Sequence, residues 1–544
     1  MRLRKFRLRA NQRASRKEEL HLRGPAIGQG RKVSWILSSR TLKNCSLPEI
    51  SHLLFDRKGG ANFGGSSDVE SRTVNPLEIS PEEFKRICER VVEIAADYFQ
   101  NLDGRAIAPE ERGVELQNFY RSPLTEAGMG LEAIPGLADV VRHSRVQNAR
   151  FFGYVLGSGD PVAAATDLLC GLLNQNVTAW RSAPAAVTIE RIVVDWLAQA
   201  VGCQNFRGVL TSGGSSANLM ALAMAREAKA PANERGVRVG NGLAIYASSE
   251  VHMSIPKAIG LLGLGRENLR LIPVDKSFRM VPELLEHEMR RDKDRGVIPV
   301  TVIATAGTVN TGAIDPLPQI GAIASSYEAW LHVDGAYGAL AAIAVPQKFA
   351  GLELADSVSL DPHKWLYQPI DCGCLLFRDF IAAQRAFSNS GDYVRTHTDD
   401  PIEGYAVFEE SIELSRRFRA LKLWFSLRYH GLSAFRKSIE NDLQHAQRLG
   451  ESIQREPALE LIGPIELSAV CFRFIGDRSL NELELNRLNA AILRRVVEHG
   501  HVYLSNATLQ SKFCLRACIV NHRTTDSDID VVTKEVLAVA RDVM

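Results

Sequence analysis

The segment with the clearest potential for covalent chemistry is Ser357-Val-Ser-Leu-Asp-Pro-His-Lys-Trp365. It places Lys364 directly after a short apolar run, between His363 and Trp365. Most lysines are solvated and do no chemistry. In a partly apolar site, however, a lysine can lose its charge, and the free amine then forms a Schiff base with an aldehyde. Lys364 is therefore the first candidate for a catalytic residue.

A carboxylate stands at the end of a second apolar run. In Leu331-His-Val-Asp-Gly-Ala-Tyr-Gly338, Asp334 follows the run and precedes two small residues. A buried carboxylate needs a cationic or hydrogen-bonding partner. A protonated pyridine nitrogen would satisfy it, and an aspartate that caps a turn is the ordinary alternative.

A Gly- and Ser-rich turn offers a place for an anion. Thr211-Ser-Gly-Gly-Ser-Ser-Ala-Asn218 follows a β-rich run and precedes a predicted helix over Leu219–Ala230. Backbone N–H groups, hydroxyls and the positive end of a helix would meet there. The glycine spacing fits neither GxGxxG nor GxxxxGK[ST], which disfavours a dinucleotide-binding oxidoreductase or a nucleoside-triphosphate site.

Two more segments follow β-rich runs. Ser248-Ser-Glu-Val-His252 ends in a histidine that could stack on a flat cofactor or simply begin a helix. Thr305 opens Thr-Ala-Gly-Thr-Val-Asn-Thr-Gly, whose small residues would allow a ligand to approach closely. Each signal is only suggestive by itself.

One cofactor explains these features together. Pyridoxal 5'-phosphate needs an anion site for its phosphate, a carboxylate for its ring nitrogen, a flat group against its ring and a lysine for its aldehyde. The sequence offers all four at predicted strand ends. The close pair Cys372-Gly-Cys374 has no accompanying Cys/His pair, so we expect no metal ion.

The elements that must position these residues alternate between β-rich runs and helical stretches from about 160 to 380. Such alternation predicts an α/β domain with a largely parallel sheet. Functional residues of an open parallel sheet lie at the carboxyl ends of its strands. The predicted strands cover 208–211, 243–247, 269–272, 300–304, 330–334 and 357–360.

Four parts are predicted along the chain. Residues 1–74 are basic and then Gly- and Ser-rich, which indicates a disordered extension. Residues 75–159 contain helix-start signals and form an N-terminal helical segment. Residues 160–409 form the large cofactor-binding domain, and residues 410–544 form a smaller α+β domain.

From about residue 75 to residue 544, the chain resembles the group II pyridoxal-phosphate-dependent amino-acid decarboxylases, which act on aromatic amino acids, histidine, glutamate or cysteine sulfinate. The resemblance rests on His332-Val-Asp-Gly-Ala-Tyr-Gly338 and Asp361-Pro-His-Lys-Trp365, with Lys364 30 residues after Asp334. It implies the fold-type-I transferase-like architecture and a homodimer with its active site at the interface. Asp361 replaces an asparagine common in animal members, and we expect it to cap backbone groups.

The resemblance also implies roles for single residues. Lys364 would carry the cofactor as a Schiff base, Asp334 would pair with the ring nitrogen, and His252 would stack on the ring. The other implied cofactor contacts are Gly214, Ser215 and His363 at the phosphate, and Thr305 and Ala336 along the ring.

Two further segments resemble catalytic parts of the family. In Gly391-Asp-Tyr-Val-Arg-Thr-His397, Tyr393 would return a proton to the substrate carbon after CO2 leaves. The polar stretch 389–404 suits a lid over bound substrate. In Phe513-Cys-Leu-Arg516, the arginine would bind the substrate carboxylate through its two-pronged guanidinium.

The substrate is predicted from two segments that depart from the aromatic-specific members. Val155 and Leu156 stand where those members tend to carry an aromatic residue and a proline, and Thr178 stands where they carry phenylalanine. Tyr154 and Thr178 are the predicted substrate contacts. The remaining aromatic surface favours an aromatic amino acid. The alternatives are an acidic substrate such as glutamate or cysteine sulfinate, transamination, and oxidative deamination to an aldehyde.

Charge and cysteine content bound the remaining possibilities. The net charge of +2 over 544 residues predicts no strong nucleic-acid or membrane attraction of the whole chain. Residues 1–40 carry a local excess of Lys and Arg, and a nucleic-acid or anionic-surface binder using them is the alternative from another class. An odd number of cysteines, nine, without CxxC spacing predicts reduced thiols in the cytoplasm. No apolar run reaches the length of a membrane span.

Overall fold

A seven-stranded sheet forms the centre of the protein. The computed structural model describes residues 75–238, 240–389, 400–476 and 480–544. Residues 1–74 and the predicted catalytic loop 391–397 with Tyr393 therefore lie outside the described residues. The strands of the large sheet are β1 (Arg207–Thr211), β2 (Leu243–Ser248), β3 (Leu269–Ile272), β4 (Ile298–Thr305), β5 (Trp330–Asp334), β6 (Ser357–Leu360) and β7 (Gly373–Phe377).

The large sheet has the order β1-β7-β6-β5-β4-β2-β3. Its neighbours pair in parallel, except that β7 runs antiparallel to both β1 and β6. Strands β2, β5, β6 and β7 are buried along their whole length, as expected where helices cover both faces of a parallel sheet. The predicted, mostly parallel α/β sheet is confirmed.

The place of β7 is the main feature of this sheet that the sequence does not reveal. Gly373-Cys-Leu-Leu-Phe377 is a continuous apolar run of five residues. Such a run carries no alternation, so its pattern indicates neither orientation nor neighbours. In the structure it pairs with β1 and β6, and thereby joins the first strand of the domain to the strand that precedes Lys364.

Fourteen α-helices are found in the described residues, and none of these is long and apolar enough to cross a membrane. They are α1 (Pro81–Gln100), α2 (Val114–Tyr120), α3 (Pro135–His143), α4 (Pro161–Leu173), α5 (Pro184–Ala200), α6 (Gly214–Lys229), α7 (Ser254–Leu261), α8 (Pro282–Asp294), α9 (Leu317–Ser326), α10 (Phe380–Phe387), α11 (Ala420–His430), α12 (Leu432–Arg455), α13 (Glu482–His499) and α14 (Asp526–Val543).

A second sheet of four antiparallel strands lies in the C-terminal part, in the order β10-β11-β9-β8. Its apolar side chains share a core with helices α12, α13 and α14, which confirms the predicted α+β character of this part. Residues Ile79–Met544 form one compact unit. The domain bounds near 160 and 410 stay a prediction. The strands are β8 (Leu459–Leu461), β9 (Ala469–Phe474), β10 (Ser505–Leu509) and β11 (Lys512–Cys518).

Helix α6 begins five residues earlier than the sequence predicts, at Gly214 instead of Leu219. The predicted turn is therefore the first turn of a 16-residue helix, with Gly213 as its N-cap. The first N–H groups of a helix have no intrahelical partner. Since Gly214 and Ser215 lie in this first turn, their N–H groups are available to a ligand at the end of β1.

Candidate active site

One cavity of about 300 Å³ lies where β1, β2, β4, β5 and β6 end. The parallel register sets Thr305 beside Asp334 and Asp334 beside Ser359, so the last residues of β4 and β5 meet at one edge. All eight residues that the sequence assigns to the cofactor line this cavity: Gly214, Ser215, His252, Thr305, Asp334, Ala336, His363 and Lys364.

Lys364 lies in the turn after β6, with 18% of its side chain exposed. Its Nζ is 3.0 Å from Oδ2 of Asp361, and its backbone N–H donates to the Asp361 carbonyl. The expectation that Asp361 caps backbone groups is wrong. One of its carboxylate oxygens faces the lysine, and the other, Oδ1, is buried without a hydrogen-bond partner in the described structure.

His363 is held beside Lys364 by a contact with the segment that leads into β7. Its Nδ1 lies 2.7 Å from the carbonyl oxygen of Cys372, the residue before β7. Its Nε2 lies 3.6 Å from Oδ2 of Asp361. Burial lowers the pKa of His363, while the Asp361 carboxylate opposes that shift.

The first turn of α6 forms an anion cradle. Ser212, Ser215 and Ser216 supply hydroxyls, and the helix end supplies N–H groups. A Cβ on Gly214 would lie 2.6 Å from the Cβ of Ala336, so only glycine lets these two backbones approach so closely. This geometry suits a phosphate group at the base of the cavity.

Asp334 is a buried carboxylate that accepts three hydrogen bonds. Its Oδ2 accepts from Nδ2 of Asn218 at 2.9 Å. Its Oδ1 accepts from the Ala336 N–H at 3.2 Å and from Oγ of Ser359 at 3.1 Å. All three groups that contact this carboxylate are donors, as a carboxylate that only accepts requires. An ionised Asp334 can hold the proton of a pyridinium nitrogen.

His252 and Thr305 are two further cavity residues whose surroundings affect what they can bind. Burial lowers the pKa of His252, which favours its neutral imidazole. The N–H of Thr305 donates to Asp315 at 2.8 Å, and burial raises the pKa of Asp315 to about 6. The Oγ1 of Thr305 is buried and has no hydrogen-bond partner among the described residues, so it is available to a bound group.

These observations fit pyridoxal phosphate. The cradle at α6 suits its phosphate, Asp334 suits its ring nitrogen, and Lys364 suits its aldehyde. The unpartnered Oγ1 of Thr305 gives independent support, because native proteins rarely leave a buried hydroxyl without a hydrogen bond unless a ligand or water supplies one.

Arg516 is buried in β11 and does not line the cavity, but it contacts the cavity wall. Its Nε donates to the carbonyl of Asn310, the residue after the wall residue Val309. Its Nη1 donates to Gly153 and Ser505. Its Nη2 is buried without a hydrogen-bond partner within the described ranges, so this nitrogen can still donate to a substrate carboxylate.

The two other predicted substrate contacts lie outside the cavity lining of this single chain. Tyr154 is 54% exposed, and its hydroxyl lies 3.3 Å from that of Tyr503. Thr178 is half-buried, and its carbonyl accepts from the Phe408 N–H. Their assignment to the substrate stays a prediction, as does that of Tyr393.

The sequence does not identify the residues that bind Asp334 and His252 and thereby support the site, one of which, Asn218, also lines the cavity. Asn218 and Ser359 both bind Asp334, and Ser254 binds His252. The available signal was weak. Asn218 is the last residue of the Gly- and Ser-rich motif. Ser357 and Ser359 alternate along the buried strand β6, and buried hydroxyls need hydrogen-bond partners.

Comparison with known proteins assigns the chain to a family. The "Pyridoxal-dependent decarboxylase conserved domain" matches residues 135–475. Aromatic-L-amino-acid decarboxylase from Bacillus atrophaeus is 30% identical over 86% of this chain and 97% of its own length. The 4-hydroxyphenylacetaldehyde synthase of Rhodiola rosea is 29% identical over 88% of this chain and 99% of its own length.

A solved structure agrees with this assignment. Catharanthus roseus tryptophan decarboxylase in complex with L-tryptophan is 27% identical, with a TM-score of 0.78 over 86% of this chain and all of that chain. Fold, motifs and relatives thus agree with the chemistry of the cavity. The chain belongs to the pyridoxal-dependent decarboxylases and is an enzyme that uses pyridoxal phosphate to decarboxylate an amino acid.

Proposed function

We propose that this enzyme converts an aromatic L-amino acid to its amine and CO2. The main support for this proposal is a cluster of aromatic side chains on the chain segment to which Arg516 is hydrogen-bonded. Phe151 and Tyr503 stack with ring centroids 4.9 Å apart, and the Tyr154 ring lies 5.8 Å from Tyr503. The carbonyl of Gly153, within the same segment, accepts from Arg516.

This arrangement suits an aromatic side chain beside a bound carboxylate. Flat rings pack against one another with a gain beyond simple area burial. An acidic side chain would need a cation, and the basic residue of this segment, Arg150, lies 3.5 Å from Asp528 on the C-terminal helix. The aromatic substrates named for the relatives above point the same way.

The reaction requires different tasks of different residues. Pyridoxal phosphate, when bound, supplies a ring that withdraws the electrons left behind by CO2. Asp334 holds the proton on the ring nitrogen, and His252 packs against the ring face. Arg516 holds the substrate carboxylate through Nη2, which orients the bond that breaks. Tyr393 donates a proton to the substrate carbon.

Substrate preference is tested with a panel of amino acids. We expect kcat/KM on tyrosine, tryptophan or phenylalanine to exceed that on glutamate and cysteine sulfinate at least about tenfold, equivalent to about 1.4 kcal/mol of transition-state stabilisation. Released CO2 and amine are both measured, since transamination yields no CO2. Higher kcat/KM on an acidic amino acid would reverse the substrate assignment.

Tyr393→Phe tests whether the product is set by a placed proton donor. The change keeps the ring and removes the hydroxyl, so substrate should still bind and CO2 should still leave. Without that proton, the substrate carbon is exposed to oxygen, and we expect more aldehyde and less amine. The measurement is the aldehyde-to-amine ratio under air.

Tyr154→Phe is the matched control, because it removes a tyrosine hydroxyl from the proposed substrate side without touching the proton donor. It should leave the aldehyde-to-amine ratio of the wild-type enzyme unchanged. An unchanged ratio and rate in Tyr393→Phe would show that Tyr393 takes no part in protonation.

The proposed active form is a homodimer. Helix α1 is a 20-residue amphipathic helix without a single buried residue in the isolated chain. Helix α4 exposes four leucines by 45–62%, at positions 168, 169, 172 and 173. Apolar surfaces of this extent normally bind a partner. Sedimentation should give about twice the chain mass of 60.0 kDa, and a monomer with full activity would contradict the proposal.

The cytoplasm is the proposed compartment. All eight cysteines that the structure describes are free thiols, and seven of them are buried. Reduced thiols in such number are typical of a reducing environment. Fractionation of cells that express the protein tests this, and recovery from an oxidising compartment with disulfides formed would contradict it.

A further inference from the structure

The cofactor site rests on a hydrogen-bond network centred on Asn218. This residue lies in the second turn of α6, is 1% exposed, and contacts three other buried polar side chains. Its Nδ2 lies 2.9 Å from Oδ2 of Asp334 and 3.0 Å from Oγ of Ser254. Its Oδ1 lies 2.9 Å from Nε2 of His332.

We propose that Asn218 is a positioning residue that fixes the direction of its hydrogen bonds to Asp334, His332 and Ser254, and so ties the carboxylate of Asp334 to one tautomer of His252. The proposal rests on the role proposed above for Asp334 at the ring nitrogen. Neither Asn218 nor Ser254 is placed against the reacting atoms, so both act through their neighbours.

The direction of the network follows from the charge on Asp334. An ionised carboxylate accepts only, so the amide nitrogen of Asn218 must face it. The amide oxygen then faces His332, whose Nε2 must carry the proton. The opposite orientation of the amide would set two acceptors, the amide oxygen and Asp334 Oδ2, against each other.

The branch through His332 is consistent with this direction. Burial lowers the pKa of His332 to about 4, so the ring is neutral and carries one proton. With that proton on Nε2, Nδ1 accepts from Oγ of Ser357 at 3.0 Å. The same Oγ accepts from the indole N–H of Trp330 at 2.9 Å. The Ser357 carbonyl oxygen also lies 3.2 Å from Nδ1, and in this tautomer only the Ser357 hydroxyl can bond to that nitrogen.

The branch through Ser254 reaches the other side of the cofactor site. Because the Ser254 Oγ accepts from Asn218, its own proton is free to bond to Nδ1 of His252 at 2.8 Å. The backbone N–H of Ser254 donates to the same nitrogen at 3.3 Å. With two donors on Nδ1, a neutral His252 carries its proton on Nε2. Asn218 thus links the carboxylate below the ring nitrogen to the histidine proposed to stack on the ring.

Two substitutions separate this role from simple packing. Asn218→Leu keeps the number and branching of the side-chain heavy atoms and removes every polar contact. Asn218→Asp keeps the shape but places a second carboxylate against Asp334, which forces a shared proton between the two acids. The matched control is Asn489→Asp, which makes the same change in another fully buried asparagine that bonds to Phe474 and Leu485 in the C-terminal part.

The experiment measures the absorbance spectrum of the Lys364-bound cofactor, its dissociation constant and the melting temperature. We expect both Asn218 variants to weaken cofactor binding at least about tenfold and to shift the cofactor absorbance band, and Asn489→Asp to alter only the melting temperature. An unchanged spectrum and dissociation constant in soluble Asn218→Asp and Asn218→Leu would overturn the proposal.

A double variant gives a sharper result. In Asn218→Asp/Asp334→Asn the amide and carboxylate exchange places, so the pair can again form a hydrogen bond while the charge is withdrawn from the ring nitrogen. We expect the melting temperature to recover relative to Asn218→Asp, but the spectrum to stay altered. Recovery of the spectrum as well would show that the pair needs a hydrogen bond but no charge at residue 334, which would overturn the proposed link between Asn218 and the carboxylate of Asp334. No spectral change in Asp334→Asn by itself would instead refute the role of Asp334, independently of Asn218.

Discussion

Replacement of Lys364 by alanine is expected to abolish covalent attachment of pyridoxal phosphate and to reduce turnover by roughly 10³-fold or more, as for other residues that act covalently. Alanine leaves only a methyl group at residue 364, so no amine at this position can reach the aldehyde of pyridoxal phosphate. The cavity is built by strand ends and by α6, and does not depend on the lysine side chain for its shape. The variant should therefore fold, and its absorbance should lack the band of the bound cofactor.

Lys257→Ala is the matched control. Lys257 lies on α7, three residues after Ser254, and is exposed. Its removal should leave both cofactor absorbance and turnover close to the wild-type values. Retention of a stable covalent cofactor in Lys364→Ala would show that another lysine carries it.

Asp334→Asn is expected to fold and to lose activity by roughly 10²-fold or more, within the range of a single lost electrostatic group in an active site. The side chains have nearly the same size, but an amide cannot keep the ring nitrogen protonated. The new NH2 group would also face one of the three donors that now bind the carboxylate, from Asn218, Ala336 and Ser359.

The measurement for Asp334→Asn is kcat on the preferred amino acid, together with the melting temperature of the cofactor-loaded enzyme. Asp334→Glu is the informative companion, because it retains the charge but moves it along a longer side chain. It should recover part of the cofactor spectrum. Turnover near the wild-type value in Asp334→Asn would contradict the electronic role.

The sequence predicts which residues meet in one cavity because these residues stand where strands end. Asp334 and Lys364 each follow a short apolar run, and parallel pairing brings such ends to one edge. The residues proposed to act directly on the cofactor therefore lie next to a recognisable boundary in the sequence. Strands β3, β5 and β6 begin and end at the predicted residues, because their ends coincide with the ends of the β-rich runs.

What the sequence does not predict depends on pairing in three dimensions. The position of β7 follows from its two antiparallel neighbours, and no local pattern specifies them. The contact of Asn218 with Asp334 spans 116 residues of chain, and that of Asn218 with His332 spans 114. Helix α6 begins at Gly214, which packs closely against Ala336, a contact over 122 residues of chain that local propensity does not encode.

The site of cofactor attachment most directly tests whether Lys364 forms the Schiff base. The enzyme loaded with pyridoxal phosphate is reduced with borohydride, digested, and its modified peptide is sequenced by mass spectrometry. We expect a pyridoxyl group on Lys364, in the peptide that contains Asp361-Pro-His-Lys-Trp365. A pyridoxyl group on another lysine, with Lys364 unmodified, would contradict it.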